Sequence, residues 1–297
     1  DGNSNAGESY VVFGGQNGWV STPSYTLSLS GTDSSHFEIA TNNELKLKDT
    51  NSANYEEKDR YAVTVTATGL ESNTFESDFI LSVEDVNEAP TDIVLSSSSV
   101  QENSAAGTVV GNLSATDPDI GDTHSFSVVG GTGSNLFEIN ANNQLVVKSG
   151  AVLDYETLNN PTAWLLALTI RTTDSGGLTF DKTFTLSITD INEAPTDIAL
   201  DSLSVAENSA GSHVANISGT DPDGDTLTYS IIGGADAALF EISASGNMLH
   251  LAPSVSADYE TKTQLEVQLQ ATDPDGLSYQ ELFTITVEDV AENNSPT

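Results

Sequence analysis

The chain has 297 residues, with 44 acidic side chains against 8 basic ones and a formal net charge of −36. Such a charge repels nucleic-acid phosphates and anionic membrane surfaces, so multivalent cations are the partners it favours. The absence of cysteine excludes a disulfide framework and thiolate metal sites, and stability in an oxidising compartment must come from elsewhere.

No run of 18 apolar residues and no basic-then-apolar leader occurs, so the fragment reads as a piece of a longer secreted chain without membrane contact of its own. The apolar residues recur at period two, which argues half-buried strands rather than disorder or helices. Residues 1–9 are polar and make a loose start. Strands are predicted at residues 10–13 and 25–29. The segments His36-Phe37-Glu38-Ile39 and Glu44-Leu45-Lys46-Leu47 flank Thr41-Asn42-Asn43, a turn cluster that predicts a hairpin. After Asn54-Tyr55-Glu56, the alternation of Tyr61, Val63, Val65 and Ala67 marks a core strand, and residues 75–83 supply another.

That strand ends in Asp85-Val86-Asn87-Glu88-Ala89-Pro90, which recurs as Asp190-Ile191-Asn192-Glu193-Ala194-Pro195 and again as Asp289-Val290-Ala291-Glu292. The aspartates stand 105 and then 99 positions apart, each the span of one small all-β domain. Three repeats are therefore expected, over residues 1–89, 90–194 and 195–297. Between the linkers, the second repeat carries Glu102-Asn103-Ser104, Asp117-Pro118-Asp119, Val129-Gly130-Gly131, Asp154-Tyr155-Glu156 and Asp174. The third answers with Glu207-Asn208-Ser209, Asp221-Pro222-Asp223, Ile232-Gly233-Gly234, Asp258-Tyr259-Glu260 and Asp273. About seven short strands per repeat, separated by turn signals, argue a Greek-key, immunoglobulin-like β-sandwich in each: an all-β chain of three in tandem.

The four acidic motifs and the acidic linker, in this order in two adjacent repeats, resemble the cadherin repeat; bacterial cadherin-like domains of surface proteins, whose linkers often read Asp-Val-Asn-Glu-Ala-Pro, look most similar. The resemblance covers the second and third repeats and the second half of the first. It implies up to three calcium ions at each junction, held by the lower edge of one repeat, the linker and the upper loops of the next. At the second junction the matching positions are Glu102, Asp154, Glu156, Asp190, Glu193, Asp221, Asp223 and Asp273, with Asn192. At the first they are Glu56, Asp85, Glu88, Asp117, Asp119 and Asp174, with Asn87. Here Asn54 replaces the Asp154 equivalent and Gly2 falls where Glu102 would, so six carboxylates stand against eight and a weaker first junction is expected. Gly69 occupies the position of Asp174 and Asp273, which leaves the first repeat's upper loops without ligands and makes it an expected outer end of the array. For Asp122 and Asp225 two readings stay open, shaping the loop alone or contacting an ion as well.

The chemistry agrees with the resemblance. Two like charges about 4 Å apart repel by roughly 4 kcal/mol at a surface-like dielectric, so clustered carboxylates call for cations. Calcium accepts roughly 6–8 oxygens in irregular geometry, whereas magnesium demands an octahedron and zinc favours His or Cys. An EF-hand reading of Asp221-Pro222-Asp223-Gly224-Asp225 fails, since the sixth position is Thr226 and the twelfth Ile232. Catalysis is not expected: the carboxylates repeat, while an active site needs one asymmetric constellation, and no nucleophile elbow or phosphate-binding glycine loop occurs. His36, His124, His213 and His250 occupy unmatched positions and read as incidental. The expectation is a calcium-stiffened extender or adhesive segment of a secreted or surface protein, bacterial in type, with surface glycans or another copy of the chain as partners. The competing reading is a calcium-dependent carbohydrate-binding module using Trp19 or Trp164, although Trp164 shares the parity of the core residues Leu166 and Leu168.

Overall fold

The computed structural model describes residues 25–69, 72–157 and 165–291. Apart from two single-turn 3-10 segments, Ser34–His36 and Ala237–Leu239, its regular structure is entirely strand. The predicted strand at residues 10–13, Gly2, Trp19 and Trp164 lie outside the described residues.

The chain divides into two compact units. One comprises Asp1–Ser98, Val109–Val146 and Ala167–Phe184; the other comprises Ser99–Thr108, Val147–Leu166 and Thr185–Thr297. Each holds one linker whole, residues 85–90 in the first and 190–195 in the second.

In the first unit the strands begin with β1 (Tyr25–Ser30), β2 (Phe37–Ile39), β3 (Leu45–Leu47), β4 (Arg60–Gly69) and β5 (Thr74–Ser82). Strand β4 pairs antiparallel with both β1 and β5. The predicted hairpin is present, with Phe37 opposite Leu47 and Ile39 opposite Leu45, and Asn43 takes the left-handed conformation in its turn at φ 63°. Sheet and hairpin feed one core of Phe37, Leu45, Tyr61, Val63 and Val65.

The second repeat adds β6 (Asp92–Leu95), β7 (Ser99–Gln101), β8 (Val109–Thr116), β9 (Ser125–Gly130), β10 (Phe137–Ile139), β11 (Gln144–Val147), β12 (Leu165–Thr173) and β13 (Thr179–Thr189). One sheet runs β10-β11-β8-β6. Strand β9 pairs with β12 over Ser125 to Gly130. Gly131 follows at φ +102°, where a Cβ would lie 2.2 Å from the Ala167 carbonyl oxygen, so glycine is required there. Leu168, Ile170 and Leu186 alternate inward and are fully buried, each contributing about 1.5–3 kcal/mol by leaving water.

The second unit contains the third repeat: β14 (Asp197–Leu200), β15 (Ser204–Ala206), β16 (His213–Thr220), β17 (Thr228–Gly233), β18 (Phe240–Ile242), β19 (Met248–Leu251), β20 (Gln264–Thr272) and β21 (Ser278–Glu288). Its sheets run β14-β16-β19-β18 and β15-β21-β20-β17. The opening strand is split between them, for β14 pairs antiparallel with β16 while β15 pairs parallel with β21. Both sheets contribute to one core, including Ile198, Ile217, Leu249 and Leu251 from the first and Val205, Val267, Leu269 and Ile285 from the second. This is the sandwich that period-two patterning predicts. The parallel pairing recurs in the second repeat, where β7 meets the end of β13. It places a glutamate, Glu102 or Glu207, directly after the short strand and beside the linker.

Candidate metal centres

The first centre forms around the linker of residues 85–90. One carboxylate oxygen from each of Glu56, Asp85, Glu88 and Asp119 falls within a common 4.8 Å, and Asp117, Asp122 and Asp174 make a second such group. The Glu88 backbone N–H donates to Asp119 Oδ2 at 2.8 Å, and the Asn87 Nδ2 donates to Asp174 Oδ2 at 3.0 Å, so the linker is tied to both loops. Gly176 makes the second contact possible: a Cβ there would sit 2.2 Å from the Asn87 Oδ1. Asp174, 6% exposed, accepts from Leu178 N at 2.7 Å, which closes the loop after β12. His124 Nε2 lies 2.7 Å from Asp117 Oδ2.

The second centre repeats the plan. Glu102, Glu156, Asp190 and Glu193 bring one oxygen each within 4.8 Å of the others, and Asp221, Asp223 and Asp225 form the adjoining group. Glu193 N donates to Asp223 Oδ2 at 2.8 Å, and Asn192 Nδ2 donates to Asp273 Oδ2 at 2.9 Å. Glu102 is only 1% exposed. Its Oε2 accepts from Tyr155 N and its Oε1 from Ile191 N, both at 2.8 Å, so it fixes the linker to the Asp-Tyr-Glu turn. Asn103 donates to Glu193 Oε1. Asp154 stands apart from the close group and accepts from Thr157 N at 2.7 Å within its own turn. Asp273 likewise lies outside the tight group, held by Asn192, Gly276 and Leu277.

The electrostatics mark both centres as uncompensated. Burial, reinforced by Glu102, Glu193 and Asp190, pushes the Glu156 carboxyl up to about 7. Burial followed by neighbouring carboxylates also raises Glu88, Asp190 and Glu193. Among the described residues, the ion pairs of Lys and Arg go to Glu38, Asp49, Asp33, Asp59, Asp181, Asp92 and Asp236, none of which belongs to a cluster. Buried Glu88 Oε2, Asp119 Oδ1, Glu193 Oε2 and Asp221 Oδ2 have no hydrogen-bond partner. An acceptor buried without a donor costs about 1–3 kcal/mol, more when charged. All-oxygen clusters with orphaned carboxylate oxygens fit a hard divalent cation such as calcium.

A third group, Glu207, Glu260 and Asp289, is absent from the ligand set drawn from the sequence. Glu207, 3% exposed, accepts from Tyr259 N at 2.8 Å and Val290 N at 2.9 Å, the pattern of Glu102. The repeated Glu-Asn-Ser, Asp-Tyr-Glu and Glu-Asp-Val motifs were the signal that could have included it. Asp122 and Asp225 also enter clusters, and neither was in that set. No described helix is long and apolar enough to cross a membrane.

Comparison with known proteins agrees with this plan. Residues 96–189 match the cadherin domain model and residues 192–288 the bacterial Ig domain model. The chain is 24% identical over 249 residues to cadherin-4 of Caenorhabditis elegans and 31% identical over 209 residues to mouse protocadherin Fat 4. These alignments cover 81% and 66% of this chain but only 6% and 4% of those proteins. Among solved structures, the protocadherin gammaB7 EC3-6 cis-dimer superposes with a TM-score of 0.62 at 26% identity, over 91% of this chain and 68% of that one. In fold, motif order and these likenesses, the chain is a tandem of immunoglobulin-like β-sandwich repeats similar to cadherin repeats.

Proposed function

We propose that the chain is a calcium-binding, calcium-stiffened segment of an extracellular or cell-surface protein, serving as an extender or adhesive stretch. Its three repeats would span residues 1–89, 90–194 and 195–297. The observation that carries the reading is the pair of acidic centres built on the two linkers, with orphaned carboxylate oxygens and no Lys or Arg among the described residues to balance them. Glu56, Asp85, Asn87, Glu88, Asp117, Asp119 and Asp174 would hold calcium at the first linker. Glu102, Asp154, Glu156, Asp190, Asn192, Glu193, Asp221, Asp223 and Asp273 would hold it at the second. Bound calcium supplies charge neutralisation and a cross-link between linker and loops. Glu102, Asn87 and Asn192 orient their linkers by hydrogen bonds to protein groups. The linker wording and the bacterial Ig match over residues 192–288 support a bacterial surface protein as the source. A non-enzymatic role follows from carboxylates that recur rather than form one asymmetric constellation.

Small-angle scattering of the full chain tests the stiffening. The proposal expects a larger, sharper distribution of intramolecular distances in excess calcium than in chelator. Identical profiles in the two conditions would refute it.

A further inference from the structure

The geometry points to a transition-metal site on the outer face of the β14-β16-β19-β18 sheet, formed by His213 and His250 as its two protein ligands, for a borderline ion of the zinc, nickel or copper class. It is separate from the acidic centres and does not depend on them.

The sheet register brings these residues together. His213 on β16 lies opposite His250 on β19, and His250 lies opposite Glu241 on β18, so the three form one row across adjacent strands. Directly paired residues of an antiparallel sheet share a face. That face is the outer one: Leu249 and Leu251, on either side of His250, are buried, while His213 and Glu241 are exposed. The register shifts between His213 and Ala215, and Val214 and Ala215 both turn into the core. Without that bulge His213 would share the inward parity of Ala215 and Ile217 and point into the core.

The ring separation matches that of two imidazoles on one ion. Their centroids are 5.1 Å apart and their planes cross at 81°. Two imidazoles on one tetrahedral zinc, at Zn–N distances of ~2.0–2.1 Å, place their ring centres roughly 5 Å apart. His36 and His124 differ in having other engagements. His36 Nδ1 lies 3.3 Å from the Asp33 carbonyl oxygen and its ring packs on Tyr61, while His124 contacts Asp117. Acidic neighbours flank the pair on both sides. Glu241 stands across from His250, and Asp201, held by hydrogen bonds from Asn216, lies close enough to His213 to feel its charge. Imidazole nitrogen suits zinc, copper and nickel, whereas calcium prefers an all-oxygen shell, so the two ion classes sort to different places on this chain.

The test is a zinc chloride titration of the full chain in excess calcium, against a chromophoric competing chelator. Removing even an outer-shell partner typically costs about 10–100-fold in metal affinity, so His213→Gln and His250→Gln should each weaken zinc at least that much, with His36→Gln unchanged. As a check that needs no variant, substoichiometric nickel added to the unmutated chain should broaden the imidazole resonances of His213 and His250 before those of His36 and His124. Zinc affinity unaffected by both substitutions, or nickel broadening confined to His36 or His124, would overturn the assignment.

Discussion

Asn192 donates from Nδ2 to Asp273 Oδ2 at 2.9 Å, and Asn87 makes the same bond to Asp174 at 3.0 Å. On this side each linker is anchored by a side-chain hydrogen bond; on the other, glutamates and aspartates crowd one another with unmatched oxygens. The asparagine bond is a protein–protein tie of each linker, distinct from its crowded carboxylates. Asn192→Ala should destabilise the chelated chain by about 1 kcal/mol in urea unfolding, the usual loss for one hydrogen bond to a part-buried group. No change would mean that the asparagine bond is not formed in solution.

Glu102 and Glu156 share a cluster but are predicted to behave oppositely. Both oxygens of Glu102 accept backbone N–H groups, so Glu102→Ala leaves Tyr155 and Ile191 short of an acceptor. Both bonds are part-buried, so the loss should be about 1 kcal/mol for each, even in chelator. Glu156 is held near 7 chiefly by burial and then by like charges, so Glu156→Gln removes an unfavourable carboxylate. It should leave the chelated chain at alkaline pH equally or more stable, and should weaken calcium binding. Thermal melts of the two variants with and without calcium separate these outcomes.

The raised carboxyls fix the sign of the pH dependence. Glu156 moves from 4.5 to about 7, and Glu88, Asp190 and Glu193 are shifted the same way. Such groups bind protons more tightly when the chain is folded. Their stabilising contribution is complete below the unfolded value and is lost as pH rises through the folded one. In chelator the chain should melt at higher temperature near about pH 5.5 than near about pH 8. Depressed carboxyls such as Asp33 and Asp92 act only below the ordinary aspartate value of 3.8, outside this window. In excess calcium the order should reverse, because the ion needs the deprotonated groups.

The two junctions should differ in affinity. Asn54 stands in place of Asp154 and accepts at Oδ1 from the Glu56 backbone N–H at 2.9 Å, so the first set carries less charge. Charge count is a main control of calcium affinity. Calorimetry on the full chain with Glu88→Gln, and separately with Glu193→Gln, should show that the class of sites removed by Glu193→Gln is the tighter one. Equal affinities would mean that neutral oxygens compensate fully.

Much of this was legible in the sequence, because period-two burial and repeated acidic motifs are local signals. The hairpin over Asn43, the inward run of Leu166, Leu168 and Ile170, and the gathering of Asp85 with Glu88 all follow from them. What the sequence hid depends on the path of the backbone between motifs. The Asp-Tyr-Glu turn gives Glu156 to the cluster but keeps Asp154 for its own Thr157 N–H. The extra residue in the loop after Asp119 swings Asp122 towards Asp174, a contact that no spacing rule announces. His213 and His250 read as incidental in the sequence because they have no counterparts in the other repeats, and only the bulged register of β16 on β19 makes them neighbours.

The most direct test of the central claim is a crystal structure of the chain grown in calcium, with anomalous differences recorded at a long wavelength. The account predicts peaks at both linkers, each with oxygens of the named residues at about 2.3–2.6 Å, among them Glu88 and Asp119 at the first and Glu102, Glu156, Asp190 and Glu193 at the second. Calcium-saturated crystals with ordered linkers and no anomalous peak within reach of these carboxylates would contradict it.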